Sequence, residues 1–202
     1  LSRAVTSTSA VAMFDMKEVK RTACCLLVDK EEIGSVGASG MQSKFFENTV
    51  AELLYAMGED SNIKVRRALA NSKMLSSDVS AAFDPMFEGC FERKNTAFLG
   101  KGIAINKYTG ARGKSGSNDA NPEYIAHLRN ILAEAGVQFQ TAELGRVDQG
   151  GGGTIAYILG NYNMNVIDAG IAVLNMHAPM EIVSKVDVYE AYLGYKAFIS
   201  KL

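Results

Sequence analysis

Two adjacent glutamates, Glu31 and Glu32, stand shortly after an apolar run that ends at Val28. The length and branching of that run predict a buried β-strand over residues 21–28. Carboxylates at the end of a buried strand are unfavourable unless a partner compensates their charge. A divalent metal ion is the natural partner, and a carboxylate beside a metal ligand can transfer a proton for a metal-bound water. The pair therefore predicts metal-dependent acid–base chemistry.

The loop after this pair is rich in glycine. Gly34, Gly37 and Gly40 recur at three-residue spacing, which disfavours a long helix directly after the strand. In α/β proteins the loops at the carboxyl ends of strands are where sites are built. The alternative is a solvated charged loop that includes Lys30, but the apolar run before it and the glycines after it favour a fixed position.

Two further residues of the right chemistry fall at predicted strand ends. Asp78 closes the stretch 74–77, and a turn or helix-capping role is an equal alternative to metal ligation. His177 follows the apolar stretch 171–174; a histidine there is structural by default, and becomes a candidate ligand because acids also fall at strand ends. His127 lies inside a predicted helix and is interpreted as a surface or packing residue.

Four consecutive glycines, residues 150–153, precede a predicted helix that begins at Thr154. Such a run can cradle a phosphate, which keeps a nucleotide-binding α/β protein as an alternative. No Gly-Lys-Ser/Thr stands at the Walker A offset here, and the glycine spacing before residues 113–115 is wrong for that motif. The run favours close backbone approach to a ligand or to a packed strand.

The remaining pattern alternates helices with strands. It predicts an α/β fold, a three-layer αβα sandwich with a mostly parallel central sheet, in one domain over residues 1–202. The predicted helices cover residues 6–16, 43–57, 63–71, 121–135, a segment from 154, and 186–199. The predicted strands cover residues 21–28, 74–79, 103–108, 137–142, 166–168 and 171–174, and residues 109–121 are predicted to be a long polar loop.

Composition excludes several classes of protein. The net charge of −1 gives no basic field for nucleic acid or an anionic membrane, and no apolar run approaches the length of a membrane span. Three cysteines, an odd number without a CxxC pair, argue against a disulfide framework and a structural zinc site. Cys24 and Cys25 are predicted to be core residues, and we expect a reducing, cytoplasmic setting.

Five pieces of the sequence, in order, resemble the M18 metallopeptidases, the family of aspartyl aminopeptidase and aminopeptidase I. They are Asp-Lys-Glu-Glu-Ile-Gly-Ser (29–35), Ser-Ser-Asp-Val (76–79), Gly-Ala-Arg-Gly-Lys-Ser-Gly-Ser-Asn (110–118), Val-Asp-Gln-Gly-Gly-Gly-Gly-Thr (147–154) and Met-His-Ala-Pro (176–179). The resemblance implies two zinc ions, with cobalt or manganese as alternatives, removal of N-terminal residues from peptides, and a large homo-oligomer.

Matched residue by residue, the resemblance makes Glu31 the general base that acts on a bridging water. It makes Glu32, Asp78 and His177 metal ligands. It makes four further residues contacts for the peptide substrate: Gly151, Gly152, Thr154 and Lys114. Relatives divide between acidic and neutral N-terminal residues, and an acidic preference needs a cation, for which Lys107, Arg112 and Lys114 are candidates.

The family pattern also contains an upstream His-x-Asp, a bridging aspartate and an inserted dimerisation domain, none of which has a match here. We therefore expect residues 1–202 to be the C-terminal portion of a metallopeptidase catalytic domain. Two interpretations stay open: part of a two-metal aminopeptidase, or a non-catalytic fragment or assembly subunit of the same fold.

Overall fold

The computed structural model describes residues 2–112, 114–146 and 148–202. The helices are α1 (Ser2–Phe14), α2 (Phe45–Ala56), α3 (Asn62–Ala70), α4 (Pro122–Glu134), α5 (Ala156–Gly160) and α6 (Lys185–Lys201). The strands are β1 (Lys73–Ser76), β2 (Ser80–Ala81), β3 (Ile103–Asn106), β4 (Tyr108–Ala111), β5 (Ser115–Asp119), β6 (Phe139–Thr141), β7 (Asn165–Gly170), β8 (Ala172–Leu174) and β9 (Ile182–Val183). Short 3₁₀ helices cover Glu31–Ile33, Pro85–Cys90 and Arg93–Asn95.

The central sheet has four strands in the order β1-β7-β3-β6. Its pairs β1/β7 and β3/β6 are parallel, and only β3/β7 is antiparallel. The register sets Ser76 beside Asp168 in β7, and Asp168 beside Asn106 in β3. A smaller sheet, β2-β8-β9, continues from the ends of β1 and β7 and carries the chain to His177.

Helices cover both faces of this sheet. On one face, α1, α4 and α6 contribute Val5, Leu128 and Phe198 to a core that includes Ile105 and Ile167. On the other face, residues from α3, α5 and the loops, such as Leu69 and Leu159, pack around Val166. The buried side chains on two faces explain why the strands read as continuous apolar runs. The predicted three-layer α/β sandwich with a mostly parallel sheet is confirmed.

The predicted helices are confirmed, with boundaries that differ by a few residues. The apolar stripe predicted for residues 43–57 is only partly buried. Phe46 and Val50 pack against the second core, whereas Phe45, Leu53 and Met57 are exposed. None of the helices in the described ranges is long and apolar enough to cross a membrane.

The prediction of a buried strand over residues 21–28 is wrong. These residues join no sheet, and the Leu27 side chain is 63% exposed. Cys24 is exposed and Cys25 half-buried, so neither is the core residue that the pattern predicts. The apolar pattern is that of a strand, but within the described chain no neighbouring strand pairs with the segment, and a strand forms only with a partner.

The prediction of a long loop over residues 109–121 is also wrong. This stretch forms the antiparallel hairpin β4–β5, with Tyr108 opposite Asp119 and Thr109 opposite Asn118. Its glycines and polar residues suit a ribbon with an irregular register rather than an apolar strand, because Gly110 lies where a Cβ would be 2.2 Å from the Ser117 hydroxyl oxygen.

Candidate functional site

Several loops meet at one open cleft of about 600 Å³. The cleft is lined by Glu31 and Glu32, by Asp78, by His177, and by the glycine loop before α5. Asp78 lies between β1 and β2 and His177 follows β8, so the two sheets determine the separation of these two residues. The predicted residues Gly151, Gly152 and Thr154 belong to the same lining.

The glutamate loop is held by its own backbone. Glu31 opens a 3₁₀ turn that is bounded by Lys30 and Gly34, both in left-handed conformation. The Ser35 N–H donates to the Lys30 carbonyl at 2.7 Å, and Ser39 donates to Asp29 at 2.9 Å. The loop is therefore fixed in position, as the glycine spacing indicates.

Asp78 lies where β1 ends, half-buried, and its Oδ1 accepts from the Val79 N–H at 2.8 Å. Gly170 lies beneath it, so close that a Cβ on Gly170 would be 1.4 Å from the Asp78 carbonyl oxygen. Burial raises the pKa of the Asp78 carboxyl, and the charge of Glu32 raises it further, against the opposing effect of His177.

His177 follows β8, in a left-handed conformation with φ 69°. Its N–H donates to Glu181 at 2.8 Å, and its Nδ1 lies 3.6 Å from Oε1 of Glu32. The structure thus brings together the histidine and a glutamate that the sequence separates widely. His127 is exposed on α4 and outside the cleft, as interpreted.

Negative charge accumulates in the cleft. Burial raises the pKa of Glu31, and the charges of Asp78 and Glu32 raise it further, while His177 lowers it. Among the cleft-lining residues that the structure describes there is no lysine or arginine. Three carboxylates without a neighbouring lysine or arginine repel one another, and a bound cation would compensate their charge.

A metal ion fits the donor types, since carboxylate oxygens and an imidazole nitrogen are zinc ligands. Glu32 and His177 already face one another, and Asp78 borders the same cleft. Within the described ranges, however, no three acidic, histidine or cysteine side chains lie close enough to hold an ion as they stand. The described residues therefore bring possible donor atoms to one cleft without closing them around an ion.

The glycine run packs against the hairpin instead of forming a free loop. The N–H of Gly110 donates to the Gly152 carbonyl at 3.0 Å, and the N–H of Arg112 donates to the Gly150 carbonyl at 2.9 Å. Gly151 has φ +90°, and a Cβ there would lie 2.5 Å from the Gly110 carbonyl oxygen. Close approach to a strand explains these glycines, and α5 is too short to provide a phosphate site.

The three basic residues that are candidates to bind an acidic N-terminal side chain of a substrate do not line the cleft. Lys114 is exposed in the hairpin turn and does not line the cleft, although its neighbour Ser115 does. Lys107 forms an ion pair with Asp119. Arg112 is exposed and also lies outside the lining.

Sequence reasoning missed two features of the site. Cys90 and Phe91, from a segment without a distinctive pattern, line the cleft. Asp168 is buried in β7 beside Ser76, and neither of its carboxylate oxygens has a hydrogen bond of good geometry among the described atoms. The sequence does contain an indication of Asp168, because an acidic residue stands inside an otherwise apolar strand.

Burial raises the pKa of Asp168 to about 7. The hydroxyls of Ser76 and Thr154 act in the opposite direction, and the charge of Asp78 adds to the increase. Thr154 lines the cleft, and Ser76 ends β1 two residues before Asp78. Asp168 is therefore buried close to the residues that lead into the cleft.

The sequence profile of the family described as aminopeptidase I zinc metalloprotease (M18) matches residues 3–199. A Clostridium acetobutylicum protein named probable M18 family aminopeptidase 1 is 64% identical over 193 residues, which are 96% of this chain and 42% of that protein.

The fold of the chain is similar to that of solved aminopeptidase structures. Aminopeptidase I from Clostridium acetobutylicum superposes with a TM-score of 0.90 at 63% identity, over 98% of this chain and 42% of that one. An M18 family aminopeptidase from Thermotoga maritima gives 0.94 at 40% identity, over 99% and 44%. The S. cerevisiae mApe1 dodecamer shares the fold, with a TM-score of 0.72 at 20% identity, over 97% and 43%. The chain thus spans about 42% of the length of the curated Clostridium relative.

Proposed function

Because the chain belongs to the M18 family of aminopeptidase I zinc metalloproteases, we propose that it forms part of the active site of a zinc-dependent aminopeptidase. The reaction is the removal of acidic or neutral N-terminal residues from peptides. One observation carries the proposal: three carboxylates and one imidazole converge on a single cleft that no described lysine or arginine lines.

In this proposal Glu32, Asp78 and His177 hold zinc, within a site for two zinc ions, with cobalt or manganese as alternatives. The 3.6 Å approach of Glu32 to His177 supports a shared ion, because both are unprotonated donors when a metal is bound. Bound zinc would supply Lewis-acid polarisation of the peptide carbonyl and a lower pKa for water.

Glu31 is the proposed general base. Its pKa is raised by burial and by two neighbouring carboxylates, so it holds a proton more readily than an exposed glutamate. It takes a proton from the attacking water and delivers it to the leaving amine nitrogen, and so acts as base and then as acid.

The peptide substrate lies along the glycine loop. Gly151, Gly152 and Thr154 line the same cleft as the carboxylates, and their backbone groups are the proposed contacts for a peptide. Lys114, one residue before a lining residue, is the proposed contact for an acidic N-terminal side chain, which requires the hairpin turn to approach the cleft.

A second candidate function rests on the open ligand set. Since no three described ligands lie close together, the chain by itself fits a non-catalytic portion or an assembly subunit of the same fold. Exposed apolar residues on α2, such as Phe45 and Leu53, support assembly into a large homo-oligomer, for which we propose a cytoplasmic location. Metal analysis after zinc equilibration separates the candidates: two ions per chain support the enzyme, and one or none supports the partial site.

The substitution Glu31→Gln tests the role of Glu31. It preserves the shape of the side chain but cannot accept a proton, so we expect chelator-sensitive peptide hydrolysis to fall by at least about 10²-fold while zinc content stays the same. Glu123→Gln, at an exposed position on α4, is the matched control. If the chain alone is inactive, the aligned glutamate of the Clostridium relative is substituted instead; full activity there excludes Glu31 as the base.

A further inference from the structure

The segment between β1 and β2 carries Asp78 across a break in the sheet pairing. The parallel register of β1 with β7 ends at Ser76, and the register of β2 with β8 begins at Ser80. Residues 77–79 lie in this break and belong to no strand. Among the described residues, none of the three makes a backbone–backbone hydrogen bond. The position of this segment therefore depends on side-chain hydrogen bonds and on packing.

The hydroxyl of Tyr195 bridges this segment to β7. Tyr195 lies in α6 with 4% of its surface exposed, and its hydroxyl donates to the Ala169 carbonyl at 2.8 Å. The Ser77 hydroxyl lies 2.7 Å from the same tyrosine oxygen. Since a tyrosine hydroxyl has one proton and a carbonyl can only accept, the Ser77 hydroxyl is the donor to Tyr195. The hydrogen bonds thus run from Ser77 through Tyr195 to β7.

A close backbone contact lies beside this bridge. Ala169 precedes Gly170, and a Cβ on Gly170 would be 1.4 Å from the Asp78 carbonyl oxygen. The bridge and the contact therefore join two neighbouring residues of β7 to two neighbouring residues of the segment, Ser77 and Asp78. Steric contact at Gly170 limits how closely the segment approaches β7, and the Tyr195 bridge limits how far it moves away.

The helix that carries Tyr195 is itself held in place. At its start, the fully buried carboxylate of Asp187 accepts two backbone N–H groups of the loop before β3, each at 2.8 Å. Ala191 and Phe198 lie on the same face of α6 as Tyr195, at helical spacing, and belong to the core beneath the central sheet. The Tyr195 hydroxyl is therefore a fixed point relative to the sheet.

We propose that Tyr195 is a positioning residue of the candidate site: its hydroxyl fixes Ser77 and so sets the place of the Asp78 carboxylate in the cleft. The ligand role of Asp78 rests on the proposed function, whereas the hydrogen-bonded link does not. Asp78 lines the candidate active-site cleft and Tyr195 does not, so Tyr195 acts through Ser77 and not by contact with zinc or with a peptide.

The amide of Val79 reports on this position without any metal. Its N–H donates to Oδ1 of Asp78 at 2.8 Å, and the residue is buried. Hydrogen exchange at Val79 therefore measures local opening of the segment, and exchange at Ile105 in β3 measures opening of the central sheet. Tyr195→Phe keeps the ring and removes the hydroxyl. We expect it to raise the exchange rate of Val79 relative to that of Ile105 by at least about tenfold.

Tyr124→Phe is the matched control. Tyr124 is also 4% exposed, and its hydroxyl also donates to a backbone carbonyl, that of Met74 in β1 at 2.9 Å. The two variants lose the same group from equally buried positions, so their free energies of unfolding should fall by similar amounts. We expect Tyr124→Phe to leave the ratio of Val79 exchange to Ile105 exchange unchanged.

Ser77→Ala tests whether the two hydroxyls act as a unit. It removes the donor to Tyr195 and keeps the bond from Tyr195 to Ala169. We expect Ser77→Ala to raise Val79 exchange, and the double variant with Tyr195→Phe to match Tyr195→Phe alone within about twofold, because members of one hydrogen-bond network are not additive. Fully additive effects would mean that the hydroxyls act independently, which would overturn the proposal.

Competition for zinc with a chromophoric chelator connects the link to the candidate site. We expect Tyr195→Phe to lower zinc affinity about tenfold, the lower end of the effect of losing a group behind a metal ligand, and Tyr124→Phe to leave it unchanged. Asp78→Asn separates the two hypotheses. Full zinc affinity in Asp78→Asn would remove Asp78 from the proposed ligands, while the exchange ratio would still decide whether Tyr195 fixes the segment.

Two results would overturn the positioning role of Tyr195. The first is a loss of zinc affinity in Asp78→Asn without any loss in Tyr195→Phe. The second is an unchanged exchange ratio of Val79 to Ile105 in Tyr195→Phe, and this result decides the matter even if the chain alone binds no zinc.

Discussion

The Oε1 of Glu32 lies 3.6 Å from the Nδ1 of His177, although one follows residues 22–28 and the other follows β8. Both side chains are about two-thirds exposed, so burial does not explain why they lie close together. In the proposed zinc site they are two ligands of one ion. We expect His177→Ala to weaken zinc binding by about 100-fold or more, because loss of a ligand exceeds the 10–100-fold effect of losing a group behind it.

Competition with a chromophoric chelator measures this change. His127→Ala is the matched control, since it removes the other histidine of the chain from an exposed position on α4. Equal loss of zinc affinity in both variants, or no loss in His177→Ala, would remove His177 from the ligand set.

Part of the candidate site around this pair could be predicted from the sequence. Residue types and their positions at strand ends predicted that Glu31, Glu32, Asp78 and His177 border a common site, and they line one cleft. Asp78 and His177 each follow a strand that the apolar pattern located, whereas the strand predicted before Glu31 and Glu32 does not form among the described residues. Their ligand roles stay predictions, because no metal distances follow from the pattern.

Other features depended on contacts that no local pattern contains. Residues 21–28 have the composition of a buried strand, but burial requires a neighbour on each side, and the described chain provides none. The sequence pattern did not predict the hairpin at 108–119, because its strands are polar and rich in glycine, and this composition is also typical of loops. Cys90 reaches the cleft through the path of an irregular segment, which sequence periodicity does not define.

Asp168 makes stability depend on pH. Its pKa is about 7 in the folded protein and 3.8 in an exposed reference, so the folded state binds more protons between these values. Stability is therefore highest below about pH 4 as far as this group is concerned, and decreases as pH rises to about 7. We expect Asp168→Asn to flatten that part of the profile.

Urea denaturation from pH 4 to pH 8 measures the effect. The groups that face Asp168 are the hydroxyls of Ser76, Thr109 and Thr154, and the nearby carboxylate is Asp78. Asp60→Asn, at an exposed position, controls for removal of one acid. An unchanged slope in Asp168→Asn would show that other carboxylates account for the pH dependence.

Asp187 holds the loop before β3. It is fully buried at the start of α6, and its two carboxylate oxygens accept from the N–H groups of Gly100 and Gly102, each at 2.8 Å. Asp187→Ala leaves both N–H groups without their partner, so we expect a loss of about 3 kcal/mol in the free energy of unfolding.

Glu190→Ala is a comparison on the same helix. Its carboxylate accepts one bond, from the N–H of Gln138 at 2.8 Å, at a more exposed position. We expect a loss of about 1 kcal/mol or less there. Chemical denaturation of both variants gives the difference, and equal losses would contradict a special role for the buried carboxylate.

Gly170 controls the position of Asp78. A Cβ at residue 170 would lie 1.4 Å from the Asp78 carbonyl oxygen, a distance that no side-chain adjustment can relieve, so the backbone at Asp78 must move. We expect Gly170→Ala to cost about 3 kcal/mol or more of stability, as for overpacking of a rigid site. If Asp78 is a zinc ligand, the same shift also lowers zinc affinity.

Gly89→Ala separates this effect from the general effect of adding a methyl group. No atom lies within 4 Å of a Cβ at Gly89, so alanine there is neutral or slightly stabilising through the unfolded chain. Calorimetric zinc titration is carried out at a temperature where Gly170→Ala remains folded by circular dichroism. A folded Gly170→Ala with unchanged zinc affinity would show that Asp78 does not ligate the metal, whereas a loss restricted to this variant supports its role.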